Sequence, residues 1–301
     1  MLGPVLFLIF INDLPECIIL SNAKLFADDT KLYKEINNVT DCDDLQSDIN
    51  NAQDWSEKWN IHFHPDKCKV LRIGKAPLNY TYTLAGHQLE CVTAEKDLGI
   101  TIDNRLNFNT HVATVVSKSN RILGTIRRTF RYLDKPSFLH LYKGLVRTML
   151  EYRVPAWAPF SQQDIDKLES VQRRATKLVP YLRRVSYCER LKRLDLFSLA
   201  HRRMRGDMIH VYKLINNLIT VNKPLFTLAD PTTSRTRGHI HKLVKIRANT
   251  SLRQNCFSYR AINKWNNLPA DVVEAPSLNA FKSRFDRFMY ISGITLVYTT
   301  T

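Results

Sequence analysis

The chain has 301 residues, 44% of them hydrophobic and 24% charged, which is enough apolar material for a sizeable core and enough length for about two domains. That composition excludes a disordered tail. The formal net charge of +16 is unevenly spread: residues 1–100 hold 9 Lys/Arg against 15 Asp/Glu, and the remaining 201 hold 35 against 13. The asymmetry describes an acidic site joined to a basic body, and such a body attracts phosphate backbones in preference to membrane surfaces.

The apolar run Val5-Leu6-Phe7-Leu8-Ile9-Phe10-Ile11 is far short of the ~20 residues that span a bilayer and reads as core. No positively charged segment precedes it and no small-residue cleavage site follows, so it does not read as a secretory leader. Cys17, Cys42, Cys68, Cys91, Cys188 and Cys256 stand singly, a spacing expected of reduced thiols in an intracellular protein of the cytoplasm or nucleus.

In chain order, residues 23–27 and 30–33 are short arms around Asp28-Asp29 and predict a hairpin turned by the two aspartates. Thr40 with Asp43 reads as a capping box, and Leu45, Ile49, Ala52, Trp55 and Trp59 then recur at helical spacing. Residues 68–73 read as a strand. Residues 80–84 and 87–92 flank an Ala85-Gly86 turn, and residues 98–102 read as one more strand. After about residue 105 the apolar period changes from two to 3.6. Val112, Val115, Val116, Ser119, Ile122, Leu123 and Ile126 form one stripe, with Lys118, Arg121, Arg127, Arg128 and Arg131 off it or just past its end. Phe138, Leu141, Leu145 and Met149 predict a second helix ending near Val154-Pro155, because the residue before proline avoids helical angles. A third carries Ile165, Leu168, Val171, Ala175 and Leu178, and a fourth Leu199, Met204, Met208, Val211 and Ile215. Residues 221–242, with Pro224, Asp230-Pro231 and Arg235-Thr236-Arg237-Gly238, read as a polar linker. Phe257, Ala261, Ile262 and Trp265, then Leu278, Phe281, Phe285 and Phe288, predict two closing helices.

Two aspartates at a hairpin tip conflict with turn chemistry, which favours Asn-Gly or Asp-Gly at tight two-residue turns. The adjacent carboxylates also repel one another. Local choices of this kind are expected at functional sites, and a cation relieves the repulsion. Mg²⁺ suits carboxylate oxygens shared with substrate phosphates. Taken alone, the pair reads as a solvated turn.

The surroundings favour the functional reading. Met1-Leu2-Gly3-Pro4-Val5-Leu6-Phe7, Phe10-Ile11-Asn12-Asp13-Leu14-Pro15, Leu25-Phe26-Ala27-Asp28-Asp29-Thr30, Pro65-Asp66-Lys67-Cys68-Lys69 and Lys96-Asp97-Leu98-Gly99-Ile100-Thr101-Ile102-Asp103 occur in that order. Leu168-Glu169-Ser170-Val171-Gln172-Arg173-Arg174-Ala175-Thr176, Arg202-Arg203-Met204-Arg205-Gly206-Asp207-Met208 and Trp265-Asn266-Asn267-Leu268-Pro269 follow. Together they resemble the reverse transcriptase of non-LTR retrotransposons, the jockey- and CR1-like LINE elements.

The resemblance implies an α+β fold. A truncated reverse-transcriptase palm would occupy residues 1–104, a helical thumb-like and basic region 105–220, a linker 221–242 and a C-terminal helical region 243–301. It implies an RNA-directed DNA polymerase, a nucleotidyltransferase with a two-metal Mg²⁺ site working on an RNA template, a DNA primer and deoxynucleoside triphosphates. Asp28 would be the main metal ligand and Asp29 the weaker one, and Lys67 matches a lysine that protonates departing pyrophosphate. Family members carry a further aspartate upstream of the Gly-Pro motif, inside which this chain begins. The expectation is therefore a fragment inactive on its own.

His62, His64 and Cys68, with Cys42 or Cys91, fit no common zinc spacing and read as turn and strand residues; His239 and His241 read as part of a basic loop. Arg121, Arg127, Arg128 and Arg131 are candidate phosphate contacts, as are Arg173 and Arg174, and then Arg202, Arg203 and Arg205. No sequence-specific readout motif is visible. Tyr80, Tyr82, Phe130, Tyr132 and Trp157 are stacking candidates, with core as the default. The alternative to a polymerase fragment is a noncatalytic RNA- or DNA-binding protein using its basic helices.

Overall fold

The change of apolar period near residue 105 is also a change of architecture. The computed structural model describes residues 2–74, 78–230 and 238–291, and the chain divides into two units, Met1–Leu106 and Asn107–Thr301. The fold is mixed helix and sheet, α+β.

The first unit opens with α1 (Leu2–Ile11) and a short 3-10 turn (Leu14–Cys17). A hairpin of β1 (Asn22–Phe26) and β2 (Asp29–Tyr33) follows, and then α2 (Val39–Lys58). Short strands complete it: β3 (Lys69–Leu71) pairs in parallel with β6 (Glu90–Val92), β4 (Thr83–Leu84) with β5 (His87–Gln88), and β7 (Ala94–Asp97) with β8 (Ile100–Asp103). The core at α2 gathers Ile11, Leu14, Ala52 and Trp55, with Phe7, Phe10, Leu25 and Phe63 against it.

Three sequence expectations are corrected here. The run Val5–Ile11 is not core along its length: Leu2, Val5, Leu6, Leu8 and Ile9 are exposed and Ile11 is buried, because α1 meets the unit along one side. The capping box lies earlier, with the Asn38 side chain accepting from Asp41 N–H and the Asp41 carboxylate accepting from Asn38 N–H. Residues 98–102 are not one strand. Leu98 (φ 45°) and Gly99 (φ 86°) both have positive φ and turn β7 into β8. Ala85 (φ 50°) and Gly86 (φ 75°) do the same between β4 and β5, the pattern of a type I′ hairpin.

The second unit is helical: α3 (Asn109–Thr129), α4 (Lys135–Leu141), a π-helical turn (Tyr142–Arg147), α5 (Thr148–Glu151) and α6 (Val154–Trp157). Then come α7 (Gln162–Thr176), α8 (Tyr187–Leu194) and α9 (Leu199–Ile215). The π turn explains a further correction. A wider turn advances the buried face by four residues at each step, so Phe138, Tyr142, Val146 and Leu150 are buried in place of the α-spaced stripe, and Leu145 is 48% exposed. Arg153, at φ 48°, breaks the helix. Pro155 starts α6 rather than ending its predecessor, since a first-turn proline lacks an N–H that would have no partner there.

The remaining helices are α10 (Ser251–Asn255), α11 (Phe257–Asn266), α12 (Ala270–Val273) and α13 (Leu278–Ile291). Met208, Val211, Tyr212, Trp265, Phe281 and Phe285 form the heart of their core with α9. The Trp265 indole donates to the His241 carbonyl (2.8 Å). Asn266 brackets Leu243, accepting from its N–H (2.8 Å) and donating to its carbonyl (2.9 Å). The Trp265-Asn266 motif thus fastens the stretch 241–243 to the core. Part of the expected linker, residues 231–237, and residues 292–301 of the expected C-terminal region lie outside the described residues.

Candidate catalytic turn and cationic helix face

The ladder of β1 and β2 pairs Leu25 with Thr30 and Phe26 with Asp29. The turn is therefore Ala27-Asp28, one residue earlier than the sequence suggested, and Asp29 is the first residue of β2. Alternation along the strands half-buries Ala23, Leu25, Thr30 and Leu32 on one face and exposes Lys24, Phe26, Asp29 and Lys31 on the other. Phe26 is 58% exposed. Ala27 holds φ +52°, left-handed backbone that costs a non-glycine residue roughly 1 kcal/mol. Strain of this kind clusters at ligand clamps and active sites. Both carboxylates face solvent, Asp28 at the tip and Asp29 beside the Phe26 ring position.

Helix α2 holds the hairpin at both ends. At the entry, buried Asp48 accepts from the N–H groups of Ile19 (3.0 Å), Leu20 (2.9 Å) and Ser21 (2.6 Å) and from the Ser21 hydroxyl (2.7 Å). Burial alone would raise its pKa; the Ser21 hydroxyl and the three N–H groups together hold it below the usual carboxylate value. At the exit, the Lys34 ammonium bonds the Leu20 carbonyl (2.8 Å) and Asp44 (2.7 Å). Asp13 accepts from the Trp55 indole (2.9 Å). Sequence reasoning missed Asp48, although its signal was present as an aspartate inside the apolar stripe of α2.

The donor set suits one class of metal. Two adjacent solvent-facing carboxylates at the end of one hairpin fit Mg²⁺, which is held through one or two carboxylates plus substrate phosphates and keeps several waters. Among the described residues no group of three or more His, Cys, Asp or Glu gathers to hold an ion. Lys67 ends the 3-10 turn Pro65–Lys67 and is exposed, with its side chain bonded to neither aspartate. His64 Nδ1 stands 3.9 Å from Asp66.

In the second unit, α3 contains no Asp or Glu. Lys118, Arg121, Thr125 and Arg128 fall three, four and three residues apart and so share a face, opposite buried Val112, Val115, Ser119, Leu123 and Ile126. Arg121, Arg127, Arg128 and Arg131 are exposed, and among the described residues none makes an ion pair or a side-chain hydrogen bond. Arg127 and Arg128 also complement the helix C-terminus. Arg174 donates to Asn120 of α3 (2.6 Å), and Arg173 lies over the Tyr187 ring at 5.2 Å. Phe130 and Tyr132 are exposed beside this end of α3, whereas Tyr82 and Trp157 are core.

The arginines of α9 have a different fate, which corrects their reading as phosphate contacts. Arg202 forms a two-pronged pair with Glu151, and Arg205 another with Asp286 (2.6 and 2.8 Å). Arg203 is buried. Arg260 grips Asp207 with two bonds of 2.9 Å and adds the Pro155 carbonyl at 3.1 Å. The motif around Glu169 is structural too. Buried Glu169 accepts from the Tyr187 hydroxyl and from Leu199 N–H (3.1 Å) at the start of α9, while Gln172 bonds Tyr142, Tyr187 and the Phe197 carbonyl. Burial pushes the Glu169 pKa up against these bonds.

The chain is similar to the RNA-directed DNA polymerases of jockey-like non-LTR retrotransposons. It is 24% identical over 245 residues to the RNA-directed DNA polymerase from mobile element jockey of Drosophila melanogaster, an alignment covering 73% of this chain and 26% of that protein. A probable RNA-directed DNA polymerase from transposon X-element of the same species is 24% identical over 193 residues, 59% of this chain and 21% of its own length. The jockey polymerase of Drosophila funebris is 23% identical over 187 residues, 57% of this chain and 20% of its length. The chain thus spans about a quarter of the length of the curated relatives it matches. No family model and no solved structure matches. No helix among the described residues is long and apolar enough to cross a membrane.

Proposed function

We propose that the chain is part of a non-LTR retrotransposon reverse transcriptase. In this reading residues 1–104 are the palm segment bearing the catalytic hairpin, residues 105–220 the thumb-like region, 221–242 a linker and 243–301 a C-terminal helical region. The observation that carries the reading is the strained Ala27-Asp28 turn, which presents Asp28 and Asp29 to solvent while α2 clamps both ends of the hairpin.

Asp28 and Asp29 would hold Mg²⁺ with substrate phosphates. When bound, a pair of such ions activates an attacking hydroxyl and stabilises a leaving pyrophosphate. Lys67 supplies a proton to the leaving group, a contribution of about 10²–10⁴-fold where general acid catalysis operates. Arg121, Arg127, Arg128 and Arg131, with Arg173 and Arg174, neutralise the backbone of an RNA template paired to a DNA primer, and deoxynucleoside triphosphates are the co-substrates. Two adjacent aspartates at the end of one hairpin approach an ion from one side. A complete site needs a further carboxylate, and none of the described residues gathers with them.

A second reading, a noncatalytic RNA- or DNA-binding protein, draws on that same shortfall and on the unpaired cations of α3. Primer extension and primer–template binding by the 301-residue chain, with and without Mg²⁺, separate the two. The polymerase reading expects salt-dependent binding that Mg²⁺ and a matched deoxynucleoside triphosphate tighten, an effect lost in Asp28→Asn, with no extension. Extension would overturn the incomplete site. Binding indifferent to Mg²⁺ and to Asp28 would favour the noncatalytic reading, and no binding at low salt would overturn both.

A further inference from the structure

Residues 231–270 contain no Asp or Glu and eight Lys or Arg, a stretch of 40 residues to which the polymerase reading assigns no contact with a ligand. Its described part begins as an anchored ribbon. Ala229 N–H donates to the Lys242 carbonyl (2.7 Å) and Val244 N–H to the Thr227 carbonyl (2.8 Å), around the bridge of Leu228 with Leu243. Trp265 and Asn266 fix 241–243 from beneath. Beyond this anchor the chain leaves the ladder, and residues 244–247 belong to no helix or strand.

What the segment exposes is unusual for a surface loop. Val244 and Ile246 face solvent, as does Ile240, and Ile246 is 69% exposed. Lys245 and Arg247 alternate with them. Lys245 stands 4.9 Å over the ring of Tyr259. Among the described residues, the N–H groups of residues 245–247 have no backbone partner. Of the cations in 245–264, Arg260 is neutralised by Asp207, whereas Lys245, Arg247 and Arg253 form no ion pair among the described residues. Burial, then the nearby Arg260 and Arg203, lower the Lys264 pKa, with Asp207 opposing them.

We propose that this ribbon is a binding surface for single-stranded nucleic acid, separate in sequence from α3 and independent of the polymerase reading. Charge complementarity asks for a polyanion. The interleaved aliphatic side chains ask for a ligand that offers apolar faces at the same place. A single strand presents phosphates and unstacked bases together, and its backbone oxygens accept from free N–H groups. A duplex hides its base faces and would leave Ile240, Val244 and Ile246 uncovered.

Fluorescence anisotropy of a labelled 20-nucleotide RNA single strand with the full chain tests this, beside a blunt duplex of the same sequence and phosphatidylserine vesicles. K245E/R247E is expected to weaken single-strand binding about tenfold or more at low salt, and removing two phosphate contacts lowers the log–log salt slope by about 1.4. I240S/V244S/I246S should weaken it at unchanged slope and leave duplex binding alone. All five side chains are exposed, so Tm should hold; K245Q/R247Q repeats the test if K245E/R247E melts early. Full single-strand affinity in K245E/R247E overturns the proposal. If R121E/R128E loses duplex binding at the same time, the α3 reading survives that failure. Vesicle binding that depends on Lys245 and Arg247, without single-strand binding, overturns it in favour of a membrane surface.

Discussion

Helices α3 and α9 both carry clustered arginines, and the fold uses them in opposite ways. On α3 the cations Lys118, Arg121 and Arg128 share a face and form no ion pair among the described residues. On α9, Arg202 and Arg205 are consumed by Glu151, 51 residues away, and Asp286, 81 residues away. Local arginine density therefore says little about a nucleic-acid surface. What decides is whether a distant carboxylate folds back onto it, and of these two helices α3 is the one whose arginines form no ion pair among the described residues.

The comparison breaks most visibly at buried pairs. Asp207→Ala strands the Arg260 guanidinium, in a pair where Asp207 is 4% exposed, and should cost about 3–5 kcal/mol, seen as a large fall in Tm. Arg121→Ala and Arg128→Ala should leave Tm where it is. A thermal shift from them as large as that of Asp207→Ala would erase the distinction. Arg205→Ala, whose pair is partly solvated, should lower stability by about 1 kcal/mol without changing polynucleotide binding.

A pH series sharpens the contrast further. His201 lies in α9 beside Arg202, stacked on Phe197, and neither ring nitrogen has a hydrogen-bond partner among the described residues. Burial lowers its pKa, with Asp286 opposing and Arg205 and Arg202 assisting. The unfolded chain therefore takes up the proton first. Stability should be flat above about pH 6.5 and fall as pH drops from there towards the lowered folded value, and His201→Leu should flatten that part of the profile. An unchanged profile would show that His201 does not titrate in this range. The smallest expected effect is at the aspartate turn: Ala27→Gly relieves a left-handed alanine and should stabilise by no more than about 1 kcal/mol, detectable as a small rise in Tm.

The sequence made element types legible where the period was long and regular, as in α2, α3, α7 and α9. It misplaced features set by a single residue. The π turn at Tyr142–Arg147 moved burial from Leu145 to Val146, and no propensity marks such a widening. The Leu98-Gly99 and Ala27-Asp28 turns depend on non-glycine residues accepting positive φ, which tertiary context permits and local preference resists. The aspartate pair itself was visible from Phe26-Ala27-Asp28-Asp29. Its support was not, because Asp48 reaches residues 19–21 across 27 to 29 positions. The reading of Arg202 and Arg205 as phosphate ligands failed for the same reason.

The most direct test of the account is the salt dependence of RNA–DNA duplex binding, measured in parallel with Tm for R121A/R128A and for R205A. The account predicts that R121A/R128A lowers the log–log slope by about 1.8, near 0.9 for each lost phosphate contact, at unchanged Tm, and that R205A lowers Tm at unchanged slope. Equal slopes for the wild type and R121A/R128A would contradict it.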